Sequence, residues 1–287
     1  MTRIGLIGPG NVGRSLVQAL PKDRYSLGPV LGRTAGSARR LVRDLREGEA
    51  ASSLAAFADC EVIFVAVPGD AVRQLADGLA QVPFSWEGKV LLHTCPECPP
   101  DLQLLADTGV AVAALYPLQL FHRTRVHLKG IHFVLSGDGP ALRVARSVVR
   151  AVGGHGHVVS RDAKAQAGVA ASIASDIVSA VVEMAVRRLV AAGFSRRKAA
   201  QAIRPIVDTA LEDFHRAGSR PDCSAIGDAR AASHMAEVCD RDDPVDGQLY
   251  RRALRLACDS MEVRDASVVA VGNAVGGDRS RRANAAG

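Results

Sequence analysis

Aromatic residues are scarce in this chain: tryptophan, tyrosine and phenylalanine together make up 4% of its 287 residues. Because 48% of the residues are hydrophobic, the core must consist mainly of small aliphatic side chains. The composition is that of a globular protein rather than a disordered one, and the length suits one large domain or two of ordinary size.

Neither sign of charge dominates the sequence. The net charge of +6 results from 36 lysine and arginine residues against 30 acidic residues, and no basic block is interleaved with aromatic side chains. The chain therefore lacks the usual footprint of a nucleic-acid-binding protein, whereas a small positive charge suits phosphate-bearing ligands.

Cysteine is also infrequent, with six residues. The chain starts with a short apolar run and a glycine turn instead of a charged leader and a long apolar segment. We therefore expect no signal peptide, reduced thiols and a cytoplasmic location. The most apolar long stretch, residues 165–182, is interrupted by Asp176 and three serines, which predicts a buried helix rather than a membrane span.

A glycine motif stands at the start of the chain. Residues 3–7 form an apolar run typical of a buried parallel strand, and Gly8, Gly10 and Gly13 follow it as G-x-G-x-x-G. Such glycines permit a tight turn, close approach of the backbone to a pyrophosphate, and close packing of helix on strand. Free N–H groups at the helix start would face the phosphates. The sequence predicts a dinucleotide-binding loop made of Gly8, Pro9, Gly10, Asn11, Val12 and Gly13.

The end of the second predicted strand, residues 25–31, indicates which dinucleotide is bound. An NAD-binding domain normally places an acid here to hold the ribose 2′-hydroxyl, but no carboxylate stands between Ser26 and Arg43. Arg33 and Thr34 instead offer a guanidinium and a hydroxyl to a 2′-phosphate. We therefore predict NADP as the cofactor, and a surface arginine without a ligand is the alternative.

Strands and helices alternate up to about residue 160, which is typical of a doubly wound parallel sheet. In this part, a helix is predicted over residues 71–79 with Asp70 as its N-cap. Only helices are predicted afterwards, over residues 163–192, 196–217, 229–239 and 245–263. The fold class is therefore α/β, with a Rossmann domain over 1–160, a smaller all-helical domain for substrate binding and dimerisation over 161–271, and a disordered tail over 272–287.

Residues that follow the parallel strands are the first candidates for ligand contacts, because ligands bind beyond the carboxyl ends of such strands. Val67 and Pro68 are predicted to line the cofactor path, with Thr94 beside it. His93 and Tyr116 are candidates for proton donation or for orienting the nicotinamide. For each of them a purely structural role is an equal alternative.

One cysteine pair has a spacing used by zinc and redox sites, Cys95-Pro96-Glu97-Cys98. No second such pair and no H-x-x-x-H motif accompanies it. We interpret the two residues as ordinary loop thiols and predict no metal.

Two later segments carry further candidate catalytic residues. Lys164 and Asp176 recur with Gly168, Ser172 and Ser179 at helical spacing, so they share one face and could bind a substrate carbonyl or hold a proton relay. Close helix packing is the alternative. Residues 224–234 collect an acid, a cation and His234, although an N-cap at the start of an amphipathic helix explains this run equally well.

Several of these segments resemble the 6-phosphogluconate dehydrogenase-like superfamily, which includes pyrroline-5-carboxylate reductase, 3-hydroxyisobutyrate dehydrogenase and ketopantoate reductase. More narrowly, the chain is similar to a bacterial group of Rossmann-like proteins with an appended helical domain of unknown function. The segments that carry the resemblance are residues 4–13, 32–34, 65–72, 93–94, 116–121, Lys164 onward, and 227–234.

The chain departs from that group at the substrate end. Tyr116 stands where the group usually has histidine, Cys95-Pro96 where it has Ser-Gly, Ala167-Gly168 where it has Tyr-His, and Asp176 where it has asparagine. The resemblance therefore implies the cofactor residues more firmly than the catalytic ones, and it suggests a specialised substrate.

Together these observations predict an NADP-dependent oxidoreductase that reduces a C=O or C=N bond of a small, anionic metabolite. The predicted catalytic residues are Lys164, Asp176, Tyr116, His93 and His234. An imine reductase of the pyrroline-5-carboxylate type and a non-catalytic NADP-binding sensor are the alternatives. Because residues 165–182 are too apolar to face water alone, we also expect a homodimer formed through the helical domain.

Overall fold

The structure is a computed structural model that describes residues 1–95, 105, 108–121, 126–217 and 229–259. Eight strands form one sheet in the order β3-β2-β1-β4-β5-β6-β7-β8. All neighbouring strands are parallel except the antiparallel pair β6 and β7. The strands are β1 (Thr2–Ile7), β2 (Tyr25–Leu31), β3 (Glu49–Ala50), β4 (Val62–Val65), β5 (Val90–His93), β6 (Ala111–Pro117), β7 (His132–Gly137) and β8 (His155–Val158).

Helices cover both faces of this sheet, as expected for strands that are apolar on both sides. The central strands β4 and β5 are completely buried. Among the described elements, one core lies between the sheet and three helices, and a second core lies on the opposite face under one helix and a short 3-10 turn. These elements are α1 (Asn11–Ala19), α2 (Ala35–Leu45), the 3-10 turn (Leu54–Phe57), α3 (Gly69–Ala80) and α4 (Gly139–Ala151). The prediction of a Rossmann-type doubly wound sheet is confirmed.

The start of α3 differs from the prediction. The helix begins at Gly69 and its N-cap is Pro68, so Asp70 lies inside the first turn and does not cap the helix. Proline fixes the backbone angle φ at a value that suits the residue before a helix. The helix therefore starts two residues earlier than predicted. An acid in the first turn still interacts favourably with the helix dipole.

One continuous helical segment follows the sheet. It consists of α5 (Arg161–Ser172), a π-helical turn (Ile173–Ile177) and α6 (Val178–Ala191). Ser160 caps its start, since the Ser160 hydroxyl accepts a hydrogen bond from the backbone N–H of Ala163. By its internal packing the chain forms two compact units, residues 1–177 and 178–287, so α5 and the π turn pack with the sheet.

The second unit is helical wherever the structure describes it. It contains α6, α7 (Arg196–Ala217), α8 (Ala229–Asp242) and α9 (Pro244–Asp259). Helix α6 packs against α7, and α8 packs against α9. The carboxylate of Asp246, only 5% exposed, is held by Arg187 at 2.8 Å and by Arg188. The bounds of α7 agree with the prediction, and the predicted tail lies outside the described residues.

The long helical segment is less buried than its sequence predicts. In the part of the chain that the structure describes, Arg161–Ala191 is the one helix that is long and apolar enough to cross a membrane. Its most apolar window has a mean hydropathy of 1.8, and only 11% of that window is buried within the chain. The prediction of a buried helix is therefore wrong for the single chain, because too few neighbouring elements surround this segment.

Candidate active site

The glycine loop has the geometry that a dinucleotide requires. Gly8 has a φ of +96°, and a Cβ atom there would lie 2.3 Å from the carbonyl oxygen of Ala66. A Cβ atom at Gly13 would lie 2.4 Å from the carbonyl oxygen of Gly8. At Gly10, in contrast, a Cβ atom would meet nothing within 4 Å. Two glycines are thus required by packing, and the third leaves open space where a pyrophosphate would approach.

The start of α1 lies directly behind this open space. Gly10 is its N-cap and provides no side chain to satisfy the first N–H groups of the helix. These groups, with the positive end of the helix dipole, fit an anionic phosphate. Asn11 donates a hydrogen bond from Nδ2 to the carbonyl oxygen of Phe121 at 3.2 Å, so its side chain ties the loop to the segment after β6.

Arg33 and Thr34 lie where the 2′-phosphate of NADP is expected. A Cβ atom at Gly32 would lie 2.9 Å from Cγ of Pro9, which shows that the end of β2 contacts the glycine loop. Arg33 is exposed at this edge. The Thr34 hydroxyl caps α2 by accepting from the N–H of Ser37 at 3.3 Å, and it retains a hydroxyl hydrogen for a phosphate. These residues fit NADP.

The ends of β4 and β5 continue the same edge of the sheet. Val67 is half-buried and Pro68 is exposed, while the N–H of Thr94 donates to the carbonyl oxygen of Val65 at 3.0 Å. Cys95 is buried, and its Sγ atom lies 3.6 Å from the carbonyl oxygen of Val67. Cys98 lies outside the described residues, and within the described ones no cluster of three or more His, Cys, Asp or Glu could hold a metal ion.

His93 and Lys164 form a buried polar pair at this edge. His93 is 3% exposed and Lys164 is completely buried. Burial, and secondly the positive charge of Lys164, lower the pKa of His93 to about 3. The imidazole is therefore neutral at physiological pH, and its buried Nδ1 atom has no hydrogen-bond partner among the described residues.

Tyr116 and Asp176 face a large cleft within the first unit. The cleft measures about 1110 Å³ and lies between the residues that end β6 and the helical segment from Arg161 to Asp176. Burial raises the pKa of Tyr116, and the negative charge of Asp176 raises it further. Tyr116 therefore keeps its proton at neutral pH in direct electrostatic contact with a carboxylate.

The π-helical turn places Asp176 in this cleft. The extra residue in the turn shifts the register of the helix, and such turns occur often at functional sites. Ser175 donates its hydroxyl to the carbonyl oxygen of Ala171 at 2.8 Å, and Ser172 donates to Oδ2 of Asp176 at 3.2 Å. The carboxylate is thus held by a side chain one turn earlier on the same face.

Only part of the predicted face of the long helix lines the cleft. Gly168, Ser172 and Asp176 line the cleft, whereas Lys164 does not line it because its side chain points into the interior. His234 is exposed on α8 in the second unit. The run 224–228, which precedes it in the sequence, lies outside the described residues.

Some lining residues were not singled out from the sequence as site residues. Arg161 and Asp162 lie at the start of α5, and Leu120 comes directly after the strand-end candidates Leu118 and Gln119, which also line the cleft. The cap at Ser160 and the position of residues 118–120 directly after a strand were signals for them. Neither signal, however, shows that the two segments face each other.

Comparison with known proteins supports the assignment of the glycine loop to NADP binding. Residues 3–95 match the family described as "NADP oxidoreductase coenzyme F420-dependent", and residues 131–252 match a domain of unknown function, DUF2520. No curated protein matches the chain.

Three solved structures illustrate the fold that the chain shares. An imine reductase from Pseudomonas sp. is 16% identical, with a TM-score of 0.66, over 94% of this chain and 99% of that one. A reductive aminase from Aspergillus terreus in complex with NADPH and ethyl-5-oxohexanoate is 17% identical, with a TM-score of 0.62, over 93% and 97%. 1-Pyrroline-5-carboxylate reductase from Streptococcus pyogenes is 15% identical, with a TM-score of 0.56, over 74% and 79%.

The two family matches cover successive parts of the chain, and the glycine loop lies inside the first. The predictions of an oxidoreductase and of NADP as its cofactor are confirmed. Residues 3–95 are thus similar to an NADP oxidoreductase domain, and residues 131–252 to a domain of unknown function.

Proposed function

We propose that the protein reduces a C=N or C=O bond of a small molecule bound in the cleft between Tyr116 and Asp176. The observation that carries this proposal is a protonated phenol beside a carboxylate in a cleft of substrate size. NADPH, when bound, supplies the hydride. The glycine loop and the start of α1 would hold its pyrophosphate, and Arg33 and Thr34 its 2′-phosphate.

The protein itself must orient the substrate and provide a proton. Tyr116 is the proton donor in this proposal, because its raised pKa keeps the phenol protonated at neutral pH. Asp176 orients the substrate nitrogen or hydroxyl by accepting a hydrogen bond. Lys164 is also a catalytic candidate from the sequence, but its side chain is completely buried. In this proposal the residues that line the cleft therefore contact the substrate, and Lys164 acts through its charge.

The lining of the cleft favours C=N over C=O reduction. Its walls are mostly apolar, and the lining residues that the structure describes include one cation, Arg161, and two acids, Asp162 and Asp176. An anionic metabolite, expected from the sequence, would meet more negative than positive charge here. A basic imine becomes cationic when it takes up a proton, and the carboxylate of Asp176 would stabilise that form. The imine-reducing neighbours are consistent with this preference.

The proposal is tested by NADPH consumption, followed by absorbance, with a panel of cyclic imines, ketones and 2-oxo acids. Oxidised coenzyme F420 is included, since the matched family is described by it. We expect turnover of apolar imines, and Tyr116→Phe should lower kcat by about 10²-fold or more. Asp208→Asn, in an exposed ion pair of α7, is the matched control. NADPH binding without turnover of any compound would support the non-catalytic sensor instead.

We also propose that a second copy of the chain covers exposed apolar side chains of the helices in each of the two units. In the first unit Val169, Ile173 and Ile177 are each about half exposed. In the second unit Ile206, Leu211 and Phe214 on α7 are 66%, 58% and 52% exposed. Apolar surface of this extent is typical of a protein interface. The charges of Asp162, Asp176 and Glu183 are spread along the long helical segment and argue against a membrane.

Light scattering after size-exclusion chromatography tests this second proposal. The wild-type chain should elute as a dimer, and the double variant Ile206→Glu with Phe214→Glu should elute as a folded monomer. Val245→Glu, on the equally exposed start of α9, is the control and should stay dimeric. A monomeric wild type, or one recovered only with lipid vesicles, would contradict the proposal.

Two broader expectations stay proposals as well. A cytoplasmic location is supported by Cys60 and Cys239, which are buried thiols outside any disulfide of the described residues. Kinship with the 6-phosphogluconate dehydrogenase-like superfamily is supported by the motifs quoted above and by the pyrroline-5-carboxylate reductase neighbour.

A further inference from the structure

His93 has features that the proposed proton transfer does not use. Its side chain is almost completely buried at the C-terminal end of β5, and in the part of the chain that the structure describes its Nδ1 atom has no hydrogen-bond partner. A buried polar atom without a partner destabilises the folded chain, so in native structures such an atom calls for an explanation, and a group that binds there is one.

The charge state of His93 limits what it can do. Burial and the neighbouring ammonium group of Lys164 keep the ring neutral. A neutral imidazole has one N–H donor and one acceptor nitrogen, so it can hold a polar ligand group but cannot deliver the proton for a reduction at neutral pH.

The position of His93 identifies the ligand group. In the sheet register Ile7 pairs with Val65, and Val65 pairs with His93, so His93 lies two strands from the glycine loop, roughly 10 Å away. Arg33 marks the adenosine side in the opposite direction, at the end of β2. A dinucleotide that crosses the sheet at this point has its nicotinamide over β4 and β5. His93 does not line the cleft of Tyr116 and Asp176, so the substrate there is not its partner.

We propose that His93 is a positioning residue whose Nδ1 atom hydrogen-bonds the carboxamide of the nicotinamide ring. The carboxamide offers both a donor and an acceptor, so either tautomer of the ring can pair with it. Held in this way, the nicotinamide presents one fixed face to the cleft. The inference rests on NADP binding, which belongs to the proposed function.

Binding of two ligands separates this role from a structural one. NADP⁺ carries the nicotinamide, whereas adenosine 2′,5′-bisphosphate carries only the adenosine and the 2′-phosphate. By calorimetry, His93→Leu should bind NADP⁺ about three- to tenfold more weakly and adenosine 2′,5′-bisphosphate unchanged. His93→Asn should recover most of the NADP⁺ affinity, because an asparagine amide reaches the position of Nδ1.

The controls distinguish the possible failures. His155→Leu removes an exposed histidine of β8 and should alter neither affinity, and melting curves confirm that each variant is folded. Equal weakening of both ligands by His93→Leu, or no weakening of NADP⁺, would overturn the role of His93. A wild-type chain that binds neither ligand would instead overturn the NADP-binding part of the proposed function.

Discussion

The glycine loop and the substrate cleft belong to the same compact unit, yet they are built by different means. In the loop the backbone defines the site: Gly8 and Gly13 leave no space for a Cβ atom, and Gly10 leaves space for a ligand. In the cleft, side chains from distant segments define the site, with Tyr116 on one wall and Asp176 on the other. A site formed by the backbone depends on a short run of residues, whereas a site formed by side chains depends on how distant segments of the chain pack together.

The largest expected effect is a difference between substitutions of two glycines in the loop, Gly8 and Gly10. Gly8→Ala should lower the free energy of unfolding by about 2–4 kcal/mol, because of the positive φ and the contact with Ala66. Gly10→Ala should change it by less than about 1 kcal/mol but weaken NADPH binding by about 100-fold, since the methyl group occupies the pyrophosphate approach. Urea unfolding and fluorescence titration measure the two effects. Normal NADPH affinity in Gly10→Ala would mean that the open space is not the pyrophosphate site.

Arg33→Ala should produce the next largest effect. Loss of a charge-assisted contact to the 2′-phosphate should weaken NADPH binding by about 10- to 100-fold and leave NADH binding unchanged. Titration with both dinucleotides measures this difference. Arg204→Ala, on α7, provides the control, and an equal loss for NADH and NADPH would remove the basis for assigning the 2′-phosphate to Arg33.

His93 predicts a pH dependence of stability. Its pKa is about 3 in the folded chain and about 6.5 when unfolded, so the unfolded chain binds the extra proton as the pH falls between these values. The wild type should therefore lose stability relative to His93→Asn as the pH falls from about 6.5 towards 4, with no pH-dependent difference above about pH 7.5. Nitrogen NMR should show neutral His93 throughout, and Lys164→Met should raise its pKa. A measured pKa near 6.5 for His93 would contradict its burial beside Lys164.

The smallest expected effect concerns the support of Asp176. Ser172→Ala removes the hydrogen bond to its carboxylate and should lower kcat/KM by about threefold. Ser175→Ala, which loses a bond to the carbonyl oxygen of Ala171 instead, is the control in the same turn. Identical losses in both variants would indicate that the π turn as a whole, not the Ser172 contact, positions the acid.

The contrast between loop and cleft also explains how far the sequence could be interpreted. The sheet, the glycine loop and most helix bounds follow from local patterns of apolar residues, glycines and caps. The π turn at Ile173–Ile177 was not predicted, because nothing in the serine-rich run distinguishes it from a regular helix. The start of α3 at Gly69 was not predicted, because Pro68 and Asp70 are both residue types that occur at the start of helices.

By itself, the sequence predicted the class of protein and its cofactor, since a strand, three glycines and an arginine in place of an acid are local features of neighbouring residues. Only the tertiary structure decided which candidates contact a substrate. Lys164 and Asp176 are equivalent in helical spacing, but one is buried beneath the sheet edge beside His93 and the other opens into the cleft. Which side of a helix is covered depends on the elements that pack against it, and those elements come from distant parts of the chain.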